Sequence, residues 1–323
     1  MTNIPTNEHP SRPVPIMTRN KSYFVRLGKD FHVNRELYLL FLPILAFYIV
    51  FQYAPMYGAI IAFKDYKPAL GINGSPWTGM KHFSAFFSSN YFWTLLRNTL
   101  NLSFSTLIWS FPSPILLALL LNELKNKRFA RLVQTVTYMP HFISMVVVCG
   151  MILQFTKSTG FITKLLSYMG MPQQTLLSNA NAFVPIYVIS GIWQEVGWGS
   201  IIYLAALSGI DQELYEAAEI DGAGRFKRAI HITLPGIMPQ IIVLLIMRVG
   251  RIMSIGSEKV ILLYNPSIYD KADIISSYVY RRGIIDTSWS FSSAVGLFNS
   301  VINFALVVSV NAISKKVSQM SLW

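Results

Sequence analysis

Three charged residues lie inside long apolar stretches of this chain, where charge is costly and is usually paired or functional. Glu195 lies in one stretch, and Arg248 and Arg251 lie in another, three positions apart and therefore on one face of a helix. Guanidinium groups pair with carboxylates in a bidentate geometry, so the arginines could bind an acidic solute. Counted from opposite ends of their stretches, Glu195 and Arg248 fall at similar depth. We predict that they face each other or a polar pathway; a fixed ion pair that only locks two helices is the alternative.

Other kinds of chemical site have weaker support in the sequence. The five histidines show neither metal-ligand spacing nor a Ser-His-Asp arrangement, and the single Cys149 can form no internal disulfide. The nearest approach to a phosphate-binding loop, at Gly28 and Lys29, lacks the required Ser or Thr and the earlier glycine. We therefore expect no metal, no cofactor and no catalysis on this chain. An enzyme that uses Glu195 or His141 as acid or base is an alternative.

The composition is that of a multispanning membrane protein. Apolar residues make up 53% of the 323 and charged residues 13%, which is too little charge to cover a soluble globule of this size. The net charge of +12 forms no stripe with interleaved aromatic residues, as nucleic-acid binding would require. The basic residues instead lie in short segments beside apolar runs, which is typical of membrane orientation signals.

Six apolar stretches are long enough to cross a hydrocarbon core, which takes roughly 20 helical residues. Other secondary structure would leave backbone groups unpaired in lipid, so we expect an all-α integral membrane protein. Proline residues inside the stretches should kink or end some of these helices. The stretches cover residues 38–61, 92–121, 132–155, 182–207, 236–255 and 291–313.

Six spans would place both termini on one side of the membrane. The termini and the two loops on their side hold fifteen Lys and Arg residues, whereas the three opposite loops hold nine, so that side is predicted to be cytoplasmic. We expect residues 1–37 to be a retained cytoplasmic tail rather than a signal peptide, residues 38–313 to be the membrane domain, and residues 314–323 to be a second cytoplasmic tail.

The cytoplasmic loop at 209–235 has local signals for a short helix. Asp211 is a suitable N-cap, Glu216 adds negative charge near the helix start, and Gly222 can end the helix after about three turns. Small Ala217 and Ala218 would let a partner approach the backbone closely, and Glu216 would give that partner a charged anchor. An ordinary solvated loop is the alternative.

The loop also carries a pattern: Glu-Ala-Ala, three residues, Gly, nine residues, Ile-x-Leu-Pro. This pattern resembles the coupling loop of the membrane subunits of bacterial ATP-driven (ABC) importers. The resemblance covers nearly the whole chain, and it is most similar to the polysaccharide branch of the sugar-type permeases, which includes those for alginate and pectin-derived oligosaccharides. Besides the loop, the matching segments are PMYGAIIAFKDY (55–66), GSPWTGMKHF (74–83), YMPHFIS (138–144), WQEVGWGSIIYLAALSGID (193–211) and the terminal SLW.

That resemblance implies the type I ABC importer permease fold: six transmembrane helices, with a cytoplasmic coupling helix between the fourth and fifth. It implies a multi-pass protein of the bacterial inner membrane, joined to a different sister permease, two ATPase subunits and an external solute-binding protein. ATP and Mg²⁺ would be bound by the ATPases. The ATPase-coupling positions carried over from the motif are Glu216, Ala217, Ala218, Asp221, Gly222, Ile232, Leu234 and Pro235.

The resemblance also implies a saccharide as the transported solute. Sugars are held by planar hydrogen-bonding groups and aromatic faces, although core packing or interfacial anchoring of each aromatic residue is an alternative. Pathway arginines would suit an acidic glycan such as a uronate polymer. A neutral multiple-sugar importer and a self-contained channel or secondary transporter are the alternative functions. The predicted pathway residues are Trp193, Gln194, Glu195, Trp198, Tyr203, Arg248, Arg251, Asn299 and Asn303.

Overall fold

The computed structural model describes residues 30–254 and 256–318, with side chains as far as Lys316. Positions 1–29 of the predicted tail, Ile255 and the terminal Ser-Leu-Trp motif lie outside the described residues. The chain divides into two compact units between Gly58 and Ala59.

The described part of the first unit is an apolar helical segment. Helix α1 (Arg35–Tyr48) continues through a π-helical turn, Ile49–Tyr53, into the short α2 (Ala54–Met56). Pro43 lies inside α1, and no side chain among residues 30–58 is buried. A helix that is apolar all round and exposed is suited to a lipid or protein environment rather than to water.

The second unit is helical along almost its whole described length. In its first half the helices are Gly71–Gly74 (α3), Lys81–Phe87 (α4), Phe92–Ser110 (α5), Pro112–Asn122 (α6), Lys127–Tyr138 (α7), Met145–Thr156 (α8), Phe161–Tyr168 (α9) and Ala180–Leu207 (α10). Then follow Gln212–Ile220 (α11), Arg225–Arg228 (α12), Leu234–Gly236 (α13), Met238–Val249 (α14), Ser257–Leu263 (α15), Tyr269–Ala272 (α16), Ile275–Tyr280 (α17) and Trp289–Ser318 (α18). The β structure of the described residues is limited to an isolated bridge between Lys64 and Trp77.

Among the residues described, four helical stretches are long and apolar enough to cross a membrane: Arg35–Phe63, Phe92–Asn122, Met145–Tyr168 and Trp289–Lys316. A fifth is added if Arg225–Gly236 and Met238–Val249, which are bent by 62° at their junction, form one span. Helix α10 contains the predicted fourth stretch and has 28 residues, but it is not apolar enough to meet the same criterion. The all-helical membrane class is therefore confirmed, and the count of six spans stays a prediction.

Two predicted stretches are divided or sharply bent in the structure, whereas α5 and α6 together form one span, Phe92–Asn122. The stretch at 132–155 is two helices rather than one, because α7 ends at Tyr138 and a 3₁₀ turn containing Pro140 precedes α8. Ser144 then caps α8 by accepting a hydrogen bond from the Val147 amide. The stretch at 236–255 is bent near Ile237 and its helix ends at Val249.

Helix α10 is the element on which the unit is assembled. It packs along α5, α6 and α7, and its approach to α7 is close because position 197 is glycine. A Cβ atom at Gly197 would lie 2.1 Å from the Thr137 carbonyl oxygen. Small residues allow such contacts between membrane helices, so the closest packing of α10 depends on this one position.

Candidate functional site

A cavity of about 500 Å³ lies beside α10 in the second unit. Helices α5, α6, α8, α14 and α15 complete its lining. The structure places both Glu195 and Arg248 in the lining of this cavity. Its polar lining residues include Gln194, Glu195, Tyr203, Arg248 and Lys259.

Glu195 pairs with a histidine rather than with Arg248. His141 Nδ1 lies 3.0 Å from Glu195 Oε2, and the His141 ring is stacked on the Trp198 indole, with centroids 4.5 Å apart and planes 2° from parallel. Helix α10 presents Glu195 and Trp198 on one face, and the turn at Pro140 presents His141. A fixed Glu195–Arg248 ion pair does not occur among the described residues.

Arg248 and Arg251 line a second, smaller cavity of about 210 Å³. Arg248 belongs to the lining of both cavities. The two arginines therefore line one space, although α14 ends between them at Val249.

Asn299 and Asn303 form hydrogen bonds with the non-α-helical turn that follows α14. Asn303 Oδ1 accepts a hydrogen bond from the Met253 amide at 3.0 Å, and its Nδ2 donates to Ser254 Oγ at 2.7 Å. Asn299 Nδ2 donates to the same hydroxyl at 3.2 Å. The broken helix leaves backbone groups unpaired, and the Asn303 amide from α18 satisfies one of them, the Met253 N–H.

The remaining predicted pathway residues on α10 line two different spaces. Gln194 and Tyr203 line the 500 Å³ cavity, where Gln194 is buried and donates a hydrogen bond to the Ile143 carbonyl at 3.2 Å. Trp193 instead lines an apolar groove of about 800 Å³ between α8, α9 and α10. Adjacent positions on α10 thus face different spaces, so Trp193 is separated from the charged cavity.

Sequence reasoning missed Lys259 as a cavity residue. The charge count places it in an outer loop, but in the structure it is 4% exposed and belongs to α15, which packs against α8. The signal that was available is the apolar run Val260 to Leu263, which begins directly after Lys259. In the described part of the chain, no group of three or more His, Cys, Asp and Glu side chains is arranged to hold a metal ion.

The predicted coupling helix is α11, and local chemistry sets both of its ends. Asp211 accepts a hydrogen bond from the Glu213 amide at 3.0 Å and caps the first turn. At the other end Gly222 has φ +75°, the Gly222 amide bonds to the Glu219 carbonyl, and the Ala223 amide bonds to the Ala218 carbonyl. This is a Schellman ending, which favours glycine because a Cβ atom disfavours positive φ.

Helix α11 is held in place by the segment that follows it. Tyr215 donates a hydrogen bond to Thr233 Oγ1 at 3.1 Å, and Arg228 Nη1 lies 3.0 Å from Glu219 Oε2. Glu216 and Ala217 are exposed, and Ala218 is half-buried. The motif residues that close the segment are Ile232 and Leu234, which are half-buried, and Pro235, which is exposed; Asp221 and Gly222 at the turn are also exposed.

Large apolar side chains around this segment face outward. Leu214 is 54% exposed, Ile220 87% and Phe226 79%. Single exposed apolar residues are common on proteins. Three of them within one short segment that is fixed by hydrogen bonds indicate a surface for contact with another protein. The segment therefore offers an apolar surface with a carboxylate, Glu216, beside it.

The sequence of this second unit matches a known protein family. The family of binding-protein-dependent transport system inner membrane components matches residues 110–319. The chain belongs to this family. The match includes the 500 Å³ cavity, apart from its α5 lining residue Thr106, and the whole loop at 209–235.

Relatives within the family match the chain over nearly its whole length. It is 45% identical over 315 residues to protein LplB of Bacillus subtilis, covering 97% of this chain and 98% of that protein. It is 43% identical over 291 residues to the polygalacturonan/rhamnogalacturonan transport system permease protein YteP of the same organism, covering 90% and 91%.

A solved structure shares the fold. It is the crystal structure of a bacterial alginate ABC transporter in complex with an alginate pentasaccharide-bound periplasmic protein. One of its chains superposes with a TM-score of 0.85 at 41% identity, covering 92% of this chain and all of that one. The chain thus has the permease fold of an ABC importer.

Proposed function

We propose that this chain is one of two membrane subunits of an ATP-driven importer and that the imported solute is an acidic oligo- or polysaccharide. A sister permease would complete the pathway, two ATPase subunits would bind ATP and Mg²⁺, and an external solute-binding protein would deliver the saccharide. The chain itself would act without catalysis, in the bacterial inner membrane with both termini in the cytoplasm.

Coupling to the ATPases is supported by the geometry of α11. Its ends are fixed by Asp211 and Gly222, its exposed face carries Glu216 and Ala217, and Leu214 and Ile220 face outward. A short rigid helix with small residues can enter a groove of a partner, and a carboxylate at its surface can pair with a cation there. ATP-driven closure of the ATPases would then move α11 and reorient the cavity.

The acidic nature of the solute is supported by one observation, the unpaired arginine at the cavity. Among the described residues, no carboxylate oxygen lies within 4.0 Å of Arg248, because Glu195 is paired with His141. A guanidinium without a protein partner, facing a cavity, is suited to a carboxylate ligand. The related permease YteP belongs to a polygalacturonan/rhamnogalacturonan transport system, and the alginate transporter is involved in the import of an acidic polysaccharide. Both agree with this proposal.

The function is tested by purification followed by transport. Affinity purification of this chain from membranes should recover a second membrane chain and a protein with a P-loop. Proteoliposomes holding that complex should take up an oligogalacturonide in an ATP-dependent manner and in preference to a neutral oligosaccharide of equal length. Preference for the neutral sugar would support a neutral-sugar importer, and transport by this chain alone would support a channel or secondary transporter.

Coupling is tested by Glu216→Lys. We expect the variant to fold, since Glu216 is exposed, but to separate ATP hydrolysis from uptake because the docking charge is reversed. Glu216→Gln, which keeps the shape of the side chain, is the matched control and should retain more uptake per ATP hydrolysed. Normal uptake by Glu216→Lys would refute this coupling role.

A further inference from the structure

Lys259 is a buried cation that no carboxylate of the described residues contacts directly, although Glu195 lines the same cavity. Its side chain is 4% exposed, and no carboxylate oxygen of the described residues lies within 4.0 Å of its ammonium group. The buried carboxylate of Asp273, in contrast, has a direct cationic partner, Arg281. A buried ammonium without a counter-ion is costly, so its retention at a cavity indicates a function.

The ammonium group is fixed in position by Tyr187. Lys259 Nζ donates a hydrogen bond to the Tyr187 carbonyl at 2.9 Å and lies 4.6 Å from the centre of the Tyr187 ring. Its neighbour Val260 is fully buried, which anchors α15. Position 191 is glycine, and a Cβ atom there would lie 3.4 Å from Nζ, so α10 leaves the approach to the ammonium open.

The same group has donors to spare. An ammonium has three N–H donors, and the Tyr187 carbonyl takes one of them. Neither the backbone carbonyl nor the aromatic ring carries a full negative charge, so the charge of Lys259 is not neutralised by these contacts. A carboxylate entering the cavity would meet both this ammonium and the Arg248 guanidinium, which line the same space.

We propose that Lys259 binds a carboxylate group of the transported saccharide inside this cavity and thereby determines the preference for acidic over neutral sugars. The proposal rests on the importer function proposed above and assigns the selectivity of its pathway to a residue. Selectivity follows because a neutral sugar cannot compensate the buried charge, whereas a uronate unit forms a charge-assisted hydrogen bond with it.

The test compares substrates that differ only in charge. The assembled complex in proteoliposomes is given an oligogalacturonide and the fully methyl-esterified oligomer of the same length, and kcat/KM for uptake is measured for each. Lys259→Met keeps an unbranched side chain of similar length and removes the charge, and Lys259→Arg keeps the charge. Lys164→Gln, at an exposed lysine away from the cavity, is the control.

We expect Lys259→Met to lower the acid-to-ester ratio by about tenfold or more, the effect of losing one hydrogen bond to a charged group. Lys259→Arg and Lys164→Gln should keep most of the ratio. An unchanged ratio in Lys259→Met, or an equal loss of both substrates, would assign Lys259 a structural role and overturn the proposal. Failure of Lys259→Met to assemble while Lys259→Arg transports both substrates without preference would overturn it as well.

The wild-type measurement distinguishes an incorrect substrate class from an incorrect role of Lys259. A wild-type complex that prefers the ester would refute the acidic substrate and this role of Lys259 together. A wild-type complex that prefers the acid, with an unchanged ratio in Lys259→Met, would refute the role of Lys259 alone.

Discussion

The buried carboxylate of Asp273 gives the most quantitative stability prediction for this fold. The Asp273 side chain is fully buried and forms an ion pair with Arg281, whose side chain is 19% exposed. It also accepts hydrogen bonds from the Tyr91 hydroxyl at 2.9 Å and from Ser277 Oγ at 2.7 Å. Burial, followed by the charge of Asp273, raises the pKa of Tyr91, so this hydroxyl remains a donor at ordinary pH. Among the described residues, Arg281 is the one cation within 4.0 Å of the Asp273 carboxylate.

Arg281→Met removes that cation and leaves the carboxylate buried with two hydroxyl donors. The expected loss is about 3–5 kcal/mol, because an uncompensated buried charge has lost both water and its partner. Asp273→Asn should cost less, about 1–3 kcal/mol, since Arg281 is partly exposed and its guanidinium lies 4.4 Å from the Tyr269 ring centre. The double variant should cost less than the sum of the two single changes.

The measurement is the free energy of unfolding of the purified protein in mixed detergent micelles, followed by tryptophan fluorescence. Arg282→Met is the matched control, because Arg282 pairs with Asp286 at 3.0 Å in an exposed i,i+4 arrangement, with side chains 40% and 39% exposed. Such a pair contributes about 0–1 kcal/mol. If Arg281→Met costs no more than Arg282→Met, burial is not what gives the Asp273 pair its strength.

Two further predictions concern helix packing and helix ends. Gly197→Ala should lower stability by about 1–3 kcal/mol and reduce recovery of the folded protein, because the added Cβ would lie 2.1 Å from the Thr137 carbonyl oxygen. Gly150→Ala is the control, since nothing lies within 4 Å of a Cβ atom at that position. Equal stability of the two variants would refute the close approach of α10 to α7. Asp211→Ala should weaken α11 by about 0.5–2 kcal/mol through loss of its N-cap. Faster hydrogen exchange confined to α11 checks this, and unchanged protection would show that tertiary contacts alone hold the helix.

The ends of α11 were predictable from sequence because they depend on neighbours in the chain. Asp211 caps its own helix and Gly222 ends it, and both events involve hydrogen bonds within a few residues. The membrane class was predictable for a similar reason, since a span needs only enough consecutive apolar residues.

Local composition did not reveal which helices are interrupted. The stretch at 132–155 has enough apolar residues to be predicted as one span, yet the turn at Pro140 divides it and directs His141 towards α10. The span around 236–255 likewise ends early, and the Asn303 amide from α18 accepts a hydrogen bond from the freed Met253 N–H. A broken membrane helix is stable only when distant residues satisfy its free backbone groups, and those partners are absent from any local window.

The sequence by itself determined that this chain is a helical membrane protein with a capped polar helix between two apolar stretches. Only the tertiary structure decided that Glu195 pairs with His141, 54 positions away, and that Lys259 lies buried at the cavity. The physical reason is that lipid and neighbouring helices favour the same apolar side chains, so composition does not specify how each helix is rotated. That rotation decides which charges share a cavity.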